Sequence, residues 1–182
     1  MSPNPRNKAS LALLVAASLL VTGAALGKSS DRNQPMTVDA ARSEGSFEND
    51  GVTHLSGDVV VVQGTLEVHA DTGEIHFKDG EITRAIFTGN QARMKQVNDD
   101  GTPIDAVADR IDYDVINNIV TLTGNYRVTS PKGSNAGQKM VYNTVTGQMQ
   151  SGGDGTRVHT VIQPKNKAPA APAPAANPPG AK

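Results

Sequence analysis

The sequence predicts an all-β domain. Between residues 35 and 163, apolar and polar side chains alternate in short runs that Gly, Asn and Asp separate. This alternation is typical of strands with one buried face, and no window of a dozen residues shows the 3.6-residue period of a helix. Dipeptides that favour hairpin turns, such as Asp79-Gly80, Asp100-Gly101 and Asn117-Asn118, lie between the runs. We therefore predict a dozen or more antiparallel strands of about five residues each.

Residues 55 to 71 contain the strongest strand signal. The valines at 59–62 lie between two turn signals, Ser56-Gly57-Asp58 and Gln63-Gly64-Thr65. They are β-branched and too few for a helix, so they favour a short strand. Since alternate residues point to opposite faces of a strand, both faces of this one would be apolar. This raises the question of what covers the second face.

A short glycine motif recurs along the domain. Leu55-Ser56-Gly57-Asp58 returns as Leu122-Thr123-Gly124-Asn125, with a partial copy at Thr88-Gly89-Asn90. Ala70-Asp71 and Ala108-Asp109 recur near these motifs. Glycine readily adopts a positive φ, which tight turns require. We therefore predict that each copy of the motif forms a hairpin corner.

Alternation also indicates which side chains share the apolar face of a strand. An ordinary sandwich core would fill the space between two such faces. Alternatively, the two sheets could be splayed around a groove for a lipid chain. Two observations favour the groove: aromatic residues make up only 3% of the chain, and flexible methionines provide adaptable apolar surface. The methionines are Met36, Met94, Met140 and Met149. The residues that share an apolar face are Leu66, Val68 and Ala70 on one strand, Ala92 and Met94 on a second, and Ile111, Tyr113 and Val115 on a third.

The two ends of the chain differ from the domain. Residues 1–27 combine early basic residues, a long small-and-apolar run and a small-residue cleavage site, the layout of a secretory signal peptide. Residues 28–34 are interpreted as a linker and 35–163 as the β domain. Residues 164–182 hold six of the eleven prolines and no large apolar residue, which predicts a disordered Ala/Pro/Lys tail.

Composition argues against several classes of function. The chain has no cysteine and a formal net charge of −1, with no basic block in the domain, so we predict no nucleic-acid partner. Neither the histidines nor any other residues show metal-ligand spacing or a nucleophile motif, and Asp99-Asp100 before Gly101 is explained by turn chemistry. We predict no enzyme, no metal site and no cofactor. The histidines, His54, His69, His76 and His159, fall on separate predicted strands.

The ordered set of motifs resembles a known family. The order and spacing of four stretches resemble the LptA (OstA-like) family of periplasmic lipopolysaccharide-transport bridge proteins. These stretches are residues 33–36, Leu55 to Asp71, N-D-D-G-T-P-I-D-A-V-A-D-R-I-D-Y at 98–113 and V-T-L-T-G-N at 120–125. The resemblance covers about residues 33–163. It is looser between Ala41 and Val52, where the strand register is left open.

The resemblance implies an open, twisted β-jellyroll of antiparallel strands in two splayed sheets, exported to the periplasm. Its function would be to shelter the lipid A acyl chains of lipopolysaccharide in a hydrophobic groove and to pass the lipid from the inner to the outer membrane. The implied partners are lipopolysaccharide, an inner-membrane LptC-like protein, an outer-membrane LptD-like protein and further copies of the chain in a head-to-tail homo-oligomer. One face of the valine strand would then pack within the protein while the other meets lipid.

Site residues follow from the resemblance and from strand parity. The family's interior positions fall on Met36, Met94, Tyr113 and Val115, and parity adds Val38, Leu66 and Val68. The edge strands would be 36–40 and 157–163, where free backbone groups allow stacking. We expect Val161 to offer one such free edge donor. The predicted edge residues are Met36, Thr37, Val38, Val158, Thr160, Val161 and Ile162.

Two alternatives remain open at this point. A structural scaffold would assemble edge to edge without a lipid ligand. A polysaccharide-binding sandwich would need exposed aromatic platforms, and the chain offers only three tyrosines and no tryptophan.

Overall fold

The computed structural model describes residues 29–46 and 50–164; the predicted signal peptide and all but the first residue of the predicted tail lie outside these residues. A 3-10 helix and ten strands make up this part of the chain, and no helix in it is long and apolar enough to span a membrane. The helix, Ser29–Asn33, lies in the segment interpreted as a linker. The strands are β1 (Met36–Asp39), β2 (Arg42–Glu44), β3 (Gly51–Gln63), β4 (Leu66–Lys78), β5 (Glu81–Val97), β6 (Pro103–Asp114), β7 (Ile119–Ser130), β8 (Gly133–Asn143), β9 (Met149–Ser151) and β10 (His159–Ile162).

All the strands belong to one antiparallel sheet. Their order is β1-β3-β4-β5-β6-β7-β8-β10, while β2 pairs with β3 and β9 pairs with β8. The sheet does not close, since β1 and β10 lie at opposite ends of this order. The predicted all-β, open and twisted fold is confirmed.

The recurrent glycine motifs lie inside long strands, and the prediction that they form hairpin corners is wrong. The pairing register shifts between Ser56 and Val59 in β3, and again between Thr88 and Ala92 and between Thr123 and Tyr126. Gly57 and Gly124 both have φ near +77°. A bulge that contains a glycine can use the same positive φ as a tight turn, but it bends the strand instead of reversing it. Six of the strands are therefore 11 to 17 residues long, rather than about five.

The Ala-Asp motifs complete this line of bulges on the strands between. Asp71 of β4 accepts a hydrogen bond from the backbone N–H of Asn90 (2.8 Å), and Asp109 of β6 accepts one from Asn125 Nδ2 (2.9 Å). The register also shifts on these strands, between His69 and Thr72 and between Val107 and Arg110. Five neighbouring strands, β3 to β7, thus bend at the same level.

The line of bulges divides the sheet into two limbs. The first limb runs from β2 to β9 through residues 51–56, 72–78, 81–88, 110–114, 119–123 and 139–143; the second runs from β1 to β10 through 59–63, 66–69, 92–97, 103–107, 126–130 and 133–137. The two splayed sheets of the prediction correspond to these limbs of one hydrogen-bonded sheet. Inner-face residues of both limbs form a single buried cluster, so the limbs pack face to face. The cluster includes Leu55, Ile75, Ile111 and Leu122 from the first limb and Val59, Val61, Val68 and Ala106 from the second.

The valine strand has one buried face and one outer face. Val59 and Val61 are 1% and 2% exposed within the core. Val60 lies opposite Asp39 and His69 on the outer face, where Val62 is 37% exposed. The second face is therefore turned towards polar neighbours and solvent, in contrast to the expected contact with lipid.

Candidate functional site

An apolar cavity of about 330 Å³ lies between the inner faces of the two limbs. Both limbs contribute to its wall, because the long strands β3 to β8 each cross from one limb to the other. A cavity with a mostly apolar lining suits an apolar chain or ring system. The apolar lining consists of Leu66, Val68, Phe87, Met94, Ile104, Ala106, Ile111, Tyr113, Val120, Leu122, Val128, Met140, Tyr142, Val145 and Met149.

The structure brings together four of the seven predicted interior residues. Leu66, Val68, Met94 and Tyr113 line the cavity. Met36 and Val38 are half-buried and pack against the core cluster from β1, outside the cavity wall. Val115 lies in the turn after β6, where the alternation of the strand has ended, and it does not reach the cavity.

Methionines make up a large share of the adaptable lining. Met94, Met140 and Met149 line the cavity, whereas Met36 does not. Met149 is 52% exposed and Val145 is 57% exposed, so this part of the wall is open to solvent. Other lining residues, such as Phe87, Ile104, Val120 and Val128, were not among the predicted site residues. On β5 the parity of the inner face changes between Phe87 and Met94, so alternation extended from Met94 would have turned Phe87 outward. Ile104 is separated from Tyr113 by a similar change on β6. On β7, Val120 and Val128 share one parity, but no site residue had been assigned to that strand.

One region of the cavity wall is polar. Asp31, Gln63, Gln96 and Asn98 line it, close to the β3–β4 and β5–β6 turns. Asp31 and Asn98 are only 4% and 5% exposed. Strand alternation alone would not place Asp31 here, because it belongs to the 3-10 helix.

The two edge strands lie where the sequence predicts them. Among the described residues β1 pairs only with β3, and β10 only with β8. β1 contains Met36, Thr37 and Val38; β10 contains Thr160, Val161 and Ile162, and Val158 precedes it.

The backbone of Val161 does not face the free edge. The Gln163 N–H donates to the Lys132 carbonyl of β8 (2.9 Å), and backbone groups two residues apart in a strand point to the same side. Val161, which pairs with Ser134, therefore directs its N–H to β8. The donors at the free edge belong to Thr160 and Ile162, which corrects the expectation for Val161.

A buried asparagine ties β10 to the rest of the second limb. Asn135 Oδ1 accepts hydrogen bonds from Tyr126 Oη (2.5 Å) and Ser151 Oγ (3.2 Å), and Asn135 Nδ2 donates to Thr160 Oγ1 (2.8 Å). Asn135 is 8% exposed. These contacts link β7, β8, β9 and β10, so the C-terminal edge is held in one position.

The chain offers little for catalysis within the described residues. No three His, Cys, Asp or Glu side chains in that part lie close enough together to hold a metal ion. His69 contacts the neighbouring Glu67, and His76 Nε2 lies 3.6 Å from Glu74. On the outer face, Arg84 pairs with Asp112 (2.6 Å), and this hydrogen-bonded carboxylate raises the pKa of Arg84.

Asp100 makes contacts within its own turn and with the β7–β8 turn. Its carboxyl group accepts a hydrogen bond from the Thr102 backbone N–H (2.9 Å) and lies 3.1 Å from Lys132 Nζ. The bonds to Thr102, with a smaller contribution from Lys132, lower the pKa of Asp100 to about 2. The position agrees with the turn chemistry expected from the sequence.

We predict that Asp100 adds stability at neutral pH that is lost in acid. Its pKa in the folded state lies below the unfolded value of about 3.9, so the contribution is present above that value and disappears as the pH falls towards about 2. Asp100→Asn should therefore lower the melting temperature at neutral pH. The melting temperature of this variant should then fall less than that of the wild type between about pH 4 and about pH 2. Thermal melts over this range would test it, with Asp105→Asn on the exposed outer face as the control. Parallel curves for the wild type and Asp100→Asn would contradict the prediction.

Comparisons with known proteins agree with this architecture. The family model described as LptA/(LptD N-terminal domain) LPS transport protein matches residues 37–148. The lipopolysaccharide export system protein LptA of Escherichia coli K12 is 31% identical over 162 residues, which is 87% of each chain. The protein of the same name from Haemophilus influenzae is 28% identical over 156 residues, 84% of this chain and 90% of the relative.

A solved structure shows the same fold. The crystal structure of LptH, the LptA homologous periplasmic component of the lipopolysaccharide transport device from Pseudomonas aeruginosa, aligns with a TM-score of 0.64 at 30% identity. The alignment covers 74% of this chain and 99% of LptH. With the family model spanning most of the β domain, the chain belongs to the family of LptA/(LptD N-terminal domain) LPS transport proteins.

Proposed function

We propose that this protein is a periplasmic component of lipopolysaccharide transport that holds lipid A acyl chains in the cavity between its limbs. It passes the lipid towards the outer membrane through a head-to-tail series of grooves. Its partners are further copies of the chain, an LptC-like protein at the inner membrane and an LptD-like protein at the outer membrane. The chain works as a carrier and not as an enzyme, after export by a cleaved signal peptide.

The observation that carries this proposal is the apolar cavity. Its wall combines branched aliphatic side chains with Met94, Met140 and Met149, which can adapt to more than one chain position. Burial stabilises each methylene of a ligand by about 0.8 kcal/mol, so acyl chains bind without any charged anchor. Of the predicted lipid-binding residues, we retain Leu66, Val68, Met94 and Tyr113 in this role. We place Met36, Val38 and Val115 at the periphery of the groove.

The free edges support the proposed assembly. β1 and β10 are both edge strands of the second limb, so a strand added at one end continues the limb of the next molecule. Strand addition of this kind relies on main-chain hydrogen bonds. It would also place the cavities of successive molecules in line.

Met94→Asp tests the carrier function. Met94 is half-buried in the cavity wall, so a carboxylate there should weaken acyl-chain binding by at least about tenfold without removing a fully buried core residue. Native mass spectrometry of the protein without residues 1–27, mixed with lipopolysaccharide, would report the bound lipid. Met94→Leu, which keeps the volume and the apolar character, is the matched control and should retain the lipid.

The same experiment separates the carrier from the scaffold. The free edges of the sheet would also suit a scaffold that assembles without a ligand. Oligomers without bound lipid in the wild type and in both variants would favour that alternative. Polysaccharide binding gains no support, because Tyr126 and Tyr142 are buried at 1% and 6% exposure instead of forming a platform.

A further inference from the structure

We propose that the polar region of the cavity is a headgroup subsite. This region, the polar end, consists of Asp31, Gln63, Gln96 and Asn98, and it selects amphiphiles whose headgroup donates hydrogen bonds over those that present a phosphate there. The inference rests on the proposed function, since it assumes that an amphiphile occupies the cavity. The inference specifies that the headgroup lies at the polar end and the acyl chain along the apolar wall.

Asp31 is held at the polar end by specific contacts. Its Oδ2 accepts a hydrogen bond from the Thr65 hydroxyl (2.5 Å), and its backbone carbonyl accepts one from the Gln34 N–H (2.9 Å). The turn residue Gly64 passes so close that a Cβ at this position would collide with the Asp31 carboxyl group. Asp31 therefore keeps a fixed position although it lies outside the sheet.

Neighbouring contacts join the polar end into one unit. The Val97 N–H donates to Thr65 Oγ1 (3.1 Å), which connects the β3–β4 turn to the end of β5. Gln63 Nε2 donates to the Gln34 carbonyl (3.1 Å) and holds the segment after the 3-10 helix. Gln96 and Asn98 follow on β5 and just beyond it. The four cavity-lining residues thus lie around two adjoining turns.

The polar groups are concentrated in this one region. Among the described wall residues, the other polar groups are Thr144 and the hydroxyls of Tyr113 and Tyr142, all of them in the other limb from Gln63 and Gln96 or directly after it. The wall between consists of aliphatic, aromatic and methionine side chains. This difference in polarity along the wall orients an amphiphile, because a polar headgroup that becomes buried needs hydrogen-bonding partners and an acyl chain does not.

The chemistry of the polar end defines the preferred headgroup. An ionised carboxylate accepts hydrogen bonds and donates none, and the side-chain amides both accept and donate. Hydroxyl and amide groups of a sugar can donate to the Asp31 carboxylate and exchange hydrogen bonds with the side-chain amide of Gln96. A phosphate would place a second negative charge beside Asp31 in a poorly solvated site, where repulsion is strong. A glycolipid with separate sugar and phosphate groups would therefore turn its sugar hydroxyls or amides towards Asp31.

Two amphiphiles with the same twelve-carbon chain test the proposal. Dodecyl maltoside presents neutral hydroxyl groups, and dodecyl phosphate presents an anion. Displacement of the fluorophore N-phenyl-1-naphthylamine, below the critical micelle concentrations, would report both affinities. We expect the wild-type protein to bind the maltoside about five- to tenfold more tightly than the phosphate. Asp31→Asn should reduce that preference to less than about twofold, chiefly by strengthening binding of the phosphate.

The variants are chosen so that folding effects can be recognised. Asn at position 31 keeps an oxygen that can accept the Thr65 hydrogen bond, and Asp105→Asn makes the same change on the exposed outer face of β6. Asp105→Asn should leave the preference unchanged. Gln96→Leu provides an independent reading on a half-buried strand residue: it should weaken binding of the maltoside more than binding of the phosphate.

The outcomes separate this inference from the proposed function. Equal wild-type affinities, or an Asp31→Asn effect that is the same for both amphiphiles, would overturn the headgroup subsite while the cavity remained a lipid site. If neither amphiphile nor lipopolysaccharide bound to the folded wild-type protein, both proposals would fall.

Discussion

Gly124→Ala should lower the free energy of unfolding by about 2–4 kcal/mol. Gly124 has a φ of +77°, which costs an L-residue about 1 kcal/mol. In addition, the new Cβ would collide with the Asp109 carboxylate, which accepts a hydrogen bond from Asn125 Nδ2. Moving the carboxylate away would break this bond between β6 and β7 at the line where the sheet bends. Urea denaturation would measure the change.

Gly101→Ala is a closely matched control for this substitution. Gly101 has a φ of +78°, and a Cβ there would have no neighbour within 4 Å. The control should therefore show only the conformational cost of about 1 kcal/mol. Equal losses at the two positions would show that the approach of β6 to the bulge in β7 carries no energetic weight. A larger loss at Gly124 would identify the bulge line as a packed feature of the fold.

Ile162→Pro should prevent end-to-end association and leave the monomer folded. Ile162 is 80% exposed on β10, and its N–H points away from β8. Proline is tolerated on an edge strand when the missing N–H faces solvent, but that N–H would be lost to an incoming strand. We expect the dissociation constant for self-association to rise by at least about tenfold. Analytical ultracentrifugation over a range of concentrations would measure it.

Val161→Pro has a different expected effect. Its N–H serves the pairing of β10 with β8, so this variant should detach β10 and destabilise the edge itself. Hydrogen exchange at β10 would then rise in Val161→Pro but not in Ile162→Pro. If both variants associated as the wild type does, β10 would not be the assembling edge, and the proposed head-to-tail contact would be wrong.

Strand parity explains how much of the cavity could be anticipated. Alternation placed Leu66 and Val68 on an inner face, and alternation together with the family resemblance did the same for Met94 and Tyr113. All four residues line the cavity. Val115 failed because β6 ends one residue earlier, at Asp114, and alternation holds only within a strand. Phe87 was missed because the parity of the inner face changes within β5, between Phe87 and Ala92. Val128 was missed because no face had been assigned on β7, although it shares the parity of Leu122 there.

The amino-acid pattern was enough to predict the all-β class and the inner faces around Val68, Met94 and Tyr113, because these depend on the two-residue period of a strand. The edge strands were implied by the family resemblance. The strand pairing was needed to show that Gly57 and Gly124 lie in bulges and not in hairpin corners, since a positive φ suits both. The tertiary structure also decided the direction of the Val161 N–H and the position of Asp31 in the cavity wall. Both features depend on partners that are distant in the sequence. The residues next to Val161 or Asp31 in the chain carry no pattern that identifies those partners.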